Sequence, residues 1–138
     1  MNVLVVEPMK EPYEKEIDPG LESLQHEVGG WIEALYPFDD EVAIICNEEG
    51  KLDGLPLNRA LTDEDGAIYD VVAGTFLVVG LSEDDFDGLS KDLMDKYKEH
   101  FLYPEKFIMA GGHMVALQMR EIDISHKTQE RPPCFEER

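Results

Sequence analysis

Gly74-Thr75-Phe76-Leu77-Val78-Val79-Gly80 decides the fold, because a run of aromatic and β-branched side chains is bounded by glycine at both ends. Such a composition suits a pleated, buried surface, and an unbroken apolar run belongs to the middle of a sheet. A strand is therefore expected over residues 75–81, with Ala67 to Val72 as a second strand just before it, across Ala73-Gly74. Further upstream, Trp31 to Phe38 and Val42 to Cys46 are two β-rich runs separated by Asp39-Asp40-Glu41, the pattern of an antiparallel hairpin. Residues 3–6 read as a short buried strand ended by Glu7-Pro8, followed by a polar connection from Lys10 to Glu16. Leu52 to Arg59, with Gly54 and Pro56, reads as a loop leading to the acidic turn Asp63-Glu64-Asp65-Gly66. Downstream, Lys106 to Met109 and Met114 to Met119 are expected to close the sheet around Gly111-Gly112.

Two helices complete the pattern. Asp18 is the expected N-cap of the first, with Pro19 at its first position, Leu21, Leu24 and Val28 on one face, and Gly29-Gly30 as its stop. Ser82 and Asp85 have capping-box spacing ahead of Phe86, Leu89, Leu93, Tyr97 and Phe101, which predicts one long helix kinked at Gly88 and ended by Pro104. Lys91 with Asp95, and Asp92 with Lys96, are expected ion pairs on its exposed face. Hairpins with so few helices predict an α+β domain: a mixed, mostly antiparallel sheet with two helices packed on one face. Residues 1–119 are expected to form that single domain, with residues 120–138, polar and containing Pro132-Pro133, as a peripheral extension.

The chain of 138 residues carries a formal net charge of -19. Its acids are unevenly placed. Residues 16–50 and 60–90 together hold eighteen carboxylates and no Lys or Arg. A surface of this kind repels nucleic acid and anionic lipid and attracts basic partners. The 43% hydrophobic content separates the chain from disordered acidic tails. Cys46 follows an apolar run, where a reduced buried thiol is the ordinary occupant, and this with the distant Cys134 suits a reducing cytoplasm. The first residues have no basic segment ahead of an apolar one, so no secretory signal is expected, and no stretch is long enough to cross a membrane.

Few residues suggest chemistry. Glu83-Asp84-Asp85-Phe86-Asp87-Gly88 resembles the start of a calcium loop, but counting from Glu83 puts Met94 where a bidentate Glu is needed, and the acids read better as the first turn of a helix. His26, His100, His113 and His126 lie outside metal-ligand spacing of one another or of a cysteine. The glycines around residues 75–79 lack the strand-to-helix order that cradles phosphate. No catalytic, cofactor or metal residue is therefore assigned. Arg59, the one basic residue between Lys51 and Lys91, is expected to pair with a carboxylate or, with Tyr69 and His113, to line a pocket. The acidic interaction surface is expected at Asp39, Asp40, Glu41, Asp63, Glu64, Asp65, Glu83, Asp84, Asp85 and Asp87.

Val3-Leu4-Val5-Val6-Glu7-Pro8, Pro56-Leu57-Asn58-Arg59-Ala60-Leu61 and the glycine-bounded strand together resemble a family of small acidic bacterial proteins known only as a domain of unknown function. The resemblance covers roughly residues 1–119 and implies an origin in conjugative elements and phages of Gram-positive gut bacteria, near antirestriction genes. It carries no catalytic residues to transfer.

The expected function is thus a non-enzymatic, protein-binding or regulatory accessory module without a cofactor, whose partner is a basic protein surface. A DNA-mimic inhibitor of a DNA-binding protein is the alternative, and an enzyme the third. Compact-domain scaling gives a radius of gyration of about 14 Å, so the globule spans about one duplex turn. One turn carries roughly 20 phosphates. Acids scattered over turns and a helix start cannot match that array, so mimicry would need a homodimer joining two acidic ridges.

Overall fold

Val78 and its neighbours are buried on both sides, and the rest of the molecule is arranged around that fact. The computed structural model describes residues 1–119; the expected C-terminal extension, with Cys134 and His126, lies outside the described residues. In chain order the elements are β1 (Asn2–Val6), β2 (Tyr13–Glu16), α1 (Leu21–Val28), β3 (Ile32–Leu35), β4 (Val42–Asn47), β5 (Leu57–Thr62), β6 (Ile68–Ala73), β7 (Phe76–Leu81), β8 (Phe86–Asp87), α2 (Lys91–His100), β9 (Glu105–Ala110) and β10 (His113–Gln118). The main sheet runs β2-β1-β7-β4-β3, with the short β8 also on β7. Strand β7 is central, as its composition predicts. All the pairings are antiparallel, and β5–β6 and β9–β10 form separate two-stranded sheets. This is the α+β architecture expected from the sequence.

Side chains alternate across a strand, so each inner strand feeds two cores. Leu4, Val6, Val42, Ile44, Cys46, Phe76 and Val78 point to one side, where they meet Met94, Tyr97 and Phe101 of the α2 segment and Leu61 and Val72 of the β5–β6 hairpin. Val3, Val5, Ala43, Ile45, Leu77 and Val79 point to the other, against Leu24 and Val28 of α1. The expectation that both helices share one face is therefore corrected: they cover opposite faces. A strand apolar at every position must be covered on both sides, and the packing of the chain decides which element covers each.

Local signals explain the remaining differences. The first helix stops at Gly29 in a left-handed conformation (φ 80°), but its N-cap is Gly20 rather than Asp18. The connection from Lys10 to Glu16 contains β2, an exposed edge strand that lacks the apolar signal by which strands are recognised. Leu57 to Arg59, expected as the end of a loop, are instead the start of β5.

The largest correction concerns residues 82–90. Ser82 does not cap a helix; its N–H and Oγ both donate to Asp85 O, at 2.9 and 3.0 Å, in a tight turn. The chain then returns as β8 along β7, pairing Phe86 with Leu81 and Asp87 with Gly80. Leu89 N–H donates to Asn2 O at 2.8 Å, so this segment is tied to β1 as well. The helix begins only at Lys91, capped by Ser90, whose Oγ accepts from Leu93 N–H at 3.3 Å. Of the two expected ion pairs, Lys91 reaches Asp95 at 3.3 Å, whereas Lys96 crosses to Asp40 at 2.5 Å.

Candidate functional site

Three acidic turns meet at one end of the main sheet. Strand β4 begins where β7 ends, and Leu81 N–H donates to Glu41 O at 3.1 Å, which seats the Ser82–Asp85 turn beside the Asp39–Glu41 turn. The β5–β6 turn joins the Asp39–Glu41 turn, though not the Ser82–Asp85 turn, through an open concavity of about 410 Å³, lined by Asp39, Asp40, Asp63, Glu64, Tyr69, Lys96 and His100 among others. Asp39, Glu41, Asp63, Glu64, Asp65, Glu83, Asp84, Asp85 and Asp87 are all exposed. Sequence alone scattered these residues over separate turns and a helix start; the strand order sets the Ser82–Asp85 turn beside the Asp39–Glu41 turn, and the packing of the β5–β6 hairpin brings Asp63 and Glu64 to the other side of Asp39 and Asp40.

Part of that charge holds the structure. Asp40 accepts from Lys96 Nζ at 2.5 Å and from the Tyr97 hydroxyl at 2.7 Å, bonds that fasten α2 to the turn and hold the Asp40 carboxyl below its ordinary range. Burial, then the bond to Asp40, pushes the Tyr97 phenol upward. Asp63 Oδ1 accepts the N–H groups of Asp65 and Ala67, both at 2.9 Å, and closes its own turn. Asp85 and Asp87 each accept the next residue's N–H at 2.7 Å. Among the described residues, Asp39, Glu64, Glu83 and Asp84 have no such bond, and their charge faces solvent. Beside Asp39 and Glu64, Tyr69 is 56% exposed, an aromatic face in an acidic wall.

The expected pocket of Arg59, Tyr69 and His113 is not assembled. Tyr69 lines the acidic concavity, while His113 lines a neighbouring open groove of about 900 Å³ with Phe101 and Glu105. Arg59 is wholly buried and faces neither opening. Nor, among the described residues, does it hydrogen-bond a carboxylate, as expected from its acidic surroundings. Its Nε and Nη2 donate to Phe101 O at 3.2 and 2.9 Å, Nη2 also to Lys10 O at 2.8 Å, and Nη1 to Asn58 Oδ1 at 2.9 Å. Burial lowers its pKa to about 10, opposed by the nearby Glu105, so the guanidinium stays charged at neutral pH. Asn58, also wholly buried, donates to Val6 O and Gly74 O at 2.9 and 2.8 Å and so ties β1 to the start of β7. Sequence reading singled out Arg59 but passed over Asn58 and Glu105, whose Oε1 accepts Ala60 N–H at 2.8 Å.

Cys46 sits in the floor of a cleft of about 380 Å³ between the β3–β4 hairpin and β6. Burial first, then the carboxylates of Glu33 and Asp70, push its thiol up to about 11. A thiol two units above its usual value carries about 100-fold less thiolate at pH 8, and thiolate is the reactive form. In a Cys134→Ser variant, iodoacetamide should therefore label Cys46 about 100-fold more slowly in the folded chain than in urea. Equal rates would show an accessible thiol of ordinary reactivity. Among the described residues, no group of three or more His, Cys, Asp or Glu is placed to hold a metal ion, and no helix is long and apolar enough to cross a membrane.

No curated protein and no solved structure matches the chain. One family model does, over residues 1–102, a span that holds all three segments of the resemblance, the main sheet, both helices and the acidic end but stops before β9. The chain therefore belongs to the family described as a domain of unknown function, DUF3846.

Proposed function

We propose that this chain is a non-enzymatic acidic module that binds a basic protein surface through the end built by the Asp39–Glu41, Asp63–Asp65 and Ser82–Asp85 turns. The observation that carries the reading is the concavity in which exposed Tyr69 stands among Asp39, Asp63 and Glu64, with Lys96, already bonded to Asp40, as the lysine in its lining. Carboxylates around an aromatic face suit an arginine side chain, which can pair with the acids and stack on the ring. Excess charge of one sign also steers such partners in and speeds association. The family resemblance adds the setting: an accessory of a mobile genetic element, encoded near antirestriction genes.

The test uses octa-arginine as probe, titrated calorimetrically at low and physiological salt. Two exposed pairs and one cation–π contact sum to about 1.4 kcal/mol, or roughly tenfold in affinity. The variant Asp39→Asn/Glu64→Gln/Tyr69→Ala should lose that factor, while Glu22→Gln/Asp53→Asn, which removes the same charge elsewhere, should not. Equal loss in both would reduce the interaction to net charge and remove the site. Inhibition of a restriction enzyme by the chain, fading with salt, would favour the DNA-mimic alternative, which the gathering of three acidic turns makes more concrete than their sequence spacing does.

A further inference from the structure

The two edges of the main sheet are finished differently. On β2, every residue is exposed and the strand is charged, with Lys15 bonded to Glu27 at 2.9 Å and Glu14 to Lys98 at 2.7 Å. Charged side chains, lysine above all, are the usual protection of an edge against further strand pairing. Strand β3 lacks it. It reads Ile32-Glu33-Ala34-Leu35, and no described strand pairs with its outer side. Trp31 and Tyr36 flank it at 68% and 60% exposure, large aromatics that a bare edge has no structural reason to display.

The register says which groups the edge offers. Glu48 N–H donates to Trp31 O at 2.8 Å, so Trp31 and Glu48 form a hydrogen-bonded pair of the β3–β4 ladder. Bonded and non-bonded pairs alternate in an antiparallel ladder. Glu33 and Leu35 therefore bond to β4, and Ile32 and Ala34 turn their N–H and C=O groups outward. The side chains divide the two faces of any added strand. On one, Glu33 and Leu35 border the Cys46 cleft, with Glu48, Asp70, Lys51 and Leu52. There Lys51 is already bonded to Asp70 at 2.6 Å, while Glu33 and Glu48 form no ion pair among the described residues. On the other, Ile32 and Ala34 are half-buried and continue the apolar core under α1.

We propose that β3 is a strand-addition site for an extended segment of a partner protein in which basic residues, facing Glu33 and Glu48, alternate with apolar ones beside Ile32 and Ala34. Main-chain bonds to an open edge supply affinity and alternate side chains supply specificity. Charge complementarity selects this occupant over a second copy, since two chains of net charge -19 would bring Glu33 toward Glu33. The segment would run on past Tyr36 toward Pro37, Phe38 and Asp39, which line the acidic concavity. The inference thus rests on the proposed basic partner, but on a different surface.

The test is selection of a displayed library of random dodecapeptides on the whole chain, followed by amide exchange and titration of the enriched peptides. Enriched sequences should alternate basic with apolar residues and should protect the amides of Ile32 and Ala34 from exchange at least tenfold. Ala34→Pro removes an outward N–H without touching the β3–β4 ladder, a substitution edges tolerate, and should weaken binding at least tenfold. Glu33→Lys, which leaves the backbone intact, should do the same if the proline variant fails to fold. Peptides that leave both amides unprotected, or a selection that enriches no alternating sequence, would overturn the proposal. So would a dimer that Ala34→Pro abolishes, since a second copy would then own the edge. Loss of binding in the Asp39/Glu64/Tyr69 variant with the edge variants unaffected would retain the acidic site and reject strand addition; the reverse pattern would reject the acidic site alone.

Discussion

Arg59→Met is expected to lower the unfolding free energy by about 3 kcal/mol, the usual scale for removing the donor from buried acceptors. Its guanidinium collects the carbonyls of Phe101 and Lys10 and the side chain of Asn58 in one place, so it joins β5, the end of α2 and the chain between β1 and β2. Methionine fills much of the volume but donates nothing, and Phe101 O and Asn58 Oδ1 then remain buried without this partner, while the carbonyl of exposed Lys10 can turn to water. Water cannot replace the fork, because Arg59 and Asn58 have no exposed surface. Arg59→Lys should recover little, since an ammonium cannot reproduce the planar spread of donors. Urea unfolding checks this, with a companion melting shift of roughly 10 °C for a domain of this size. A loss below about 1 kcal/mol would mean that the carbonyls find other donors.

Gly80→Ala is expected to cost about 2–3 kcal/mol, the range of overpacking that backbone must absorb. A Cβ at position 80 would lie 2.5 Å from Gly88 O and 3.3 Å from Gly88 C, both main-chain atoms. No rotamer relieves such a clash; β8 has to move from β7, and Gly88 is itself held against the backbone of Asn2. The effect should appear as lost stability in urea and as faster exchange of the amides of β8. The substitution also separates two readings of residues 82–101. With a helix starting at Ser82 nothing would stand beside Gly80 and alanine would be neutral, whereas with the chain returning as β8 it is not.

Legibility in the sequence followed the apolar signal. Strands β1, β4 and β7, the turns at Asp39–Glu41 and Asp63–Gly66, the stop at Gly29 and the closing hairpin around Gly111-Gly112 could be read from runs and breakers. Strand β2 could not, because Tyr13-Glu14-Lys15-Glu16 is an edge held by backbone bonds to β1 rather than by burial. Residues 82–90 misled for another reason. Phe86 and Leu89 fall at helical spacing with Leu93 and Tyr97, yet Leu89 enters the core on the α2 side and Phe86 packs from the α1 side. A one-dimensional period cannot distinguish one face of a helix from two faces of a sheet. Arg59 stood out by its isolation among acids, but its role depended on carbonyls contributed 42 and 49 positions away.

By itself the sequence determined a folded α+β domain, its central strand, its large negative charge and the positions of its acidic turns, because these depend on residue type and local spacing. Tertiary structure alone decided that the helices lie on opposite faces, that Arg59 is an interior brace rather than a binding residue, and that three separate acidic turns share one end. The physical reason is common to all three. Each depends on how the main sheet, the helices and the separate β5–β6 hairpin pack together, which places residues tens of positions apart in contact.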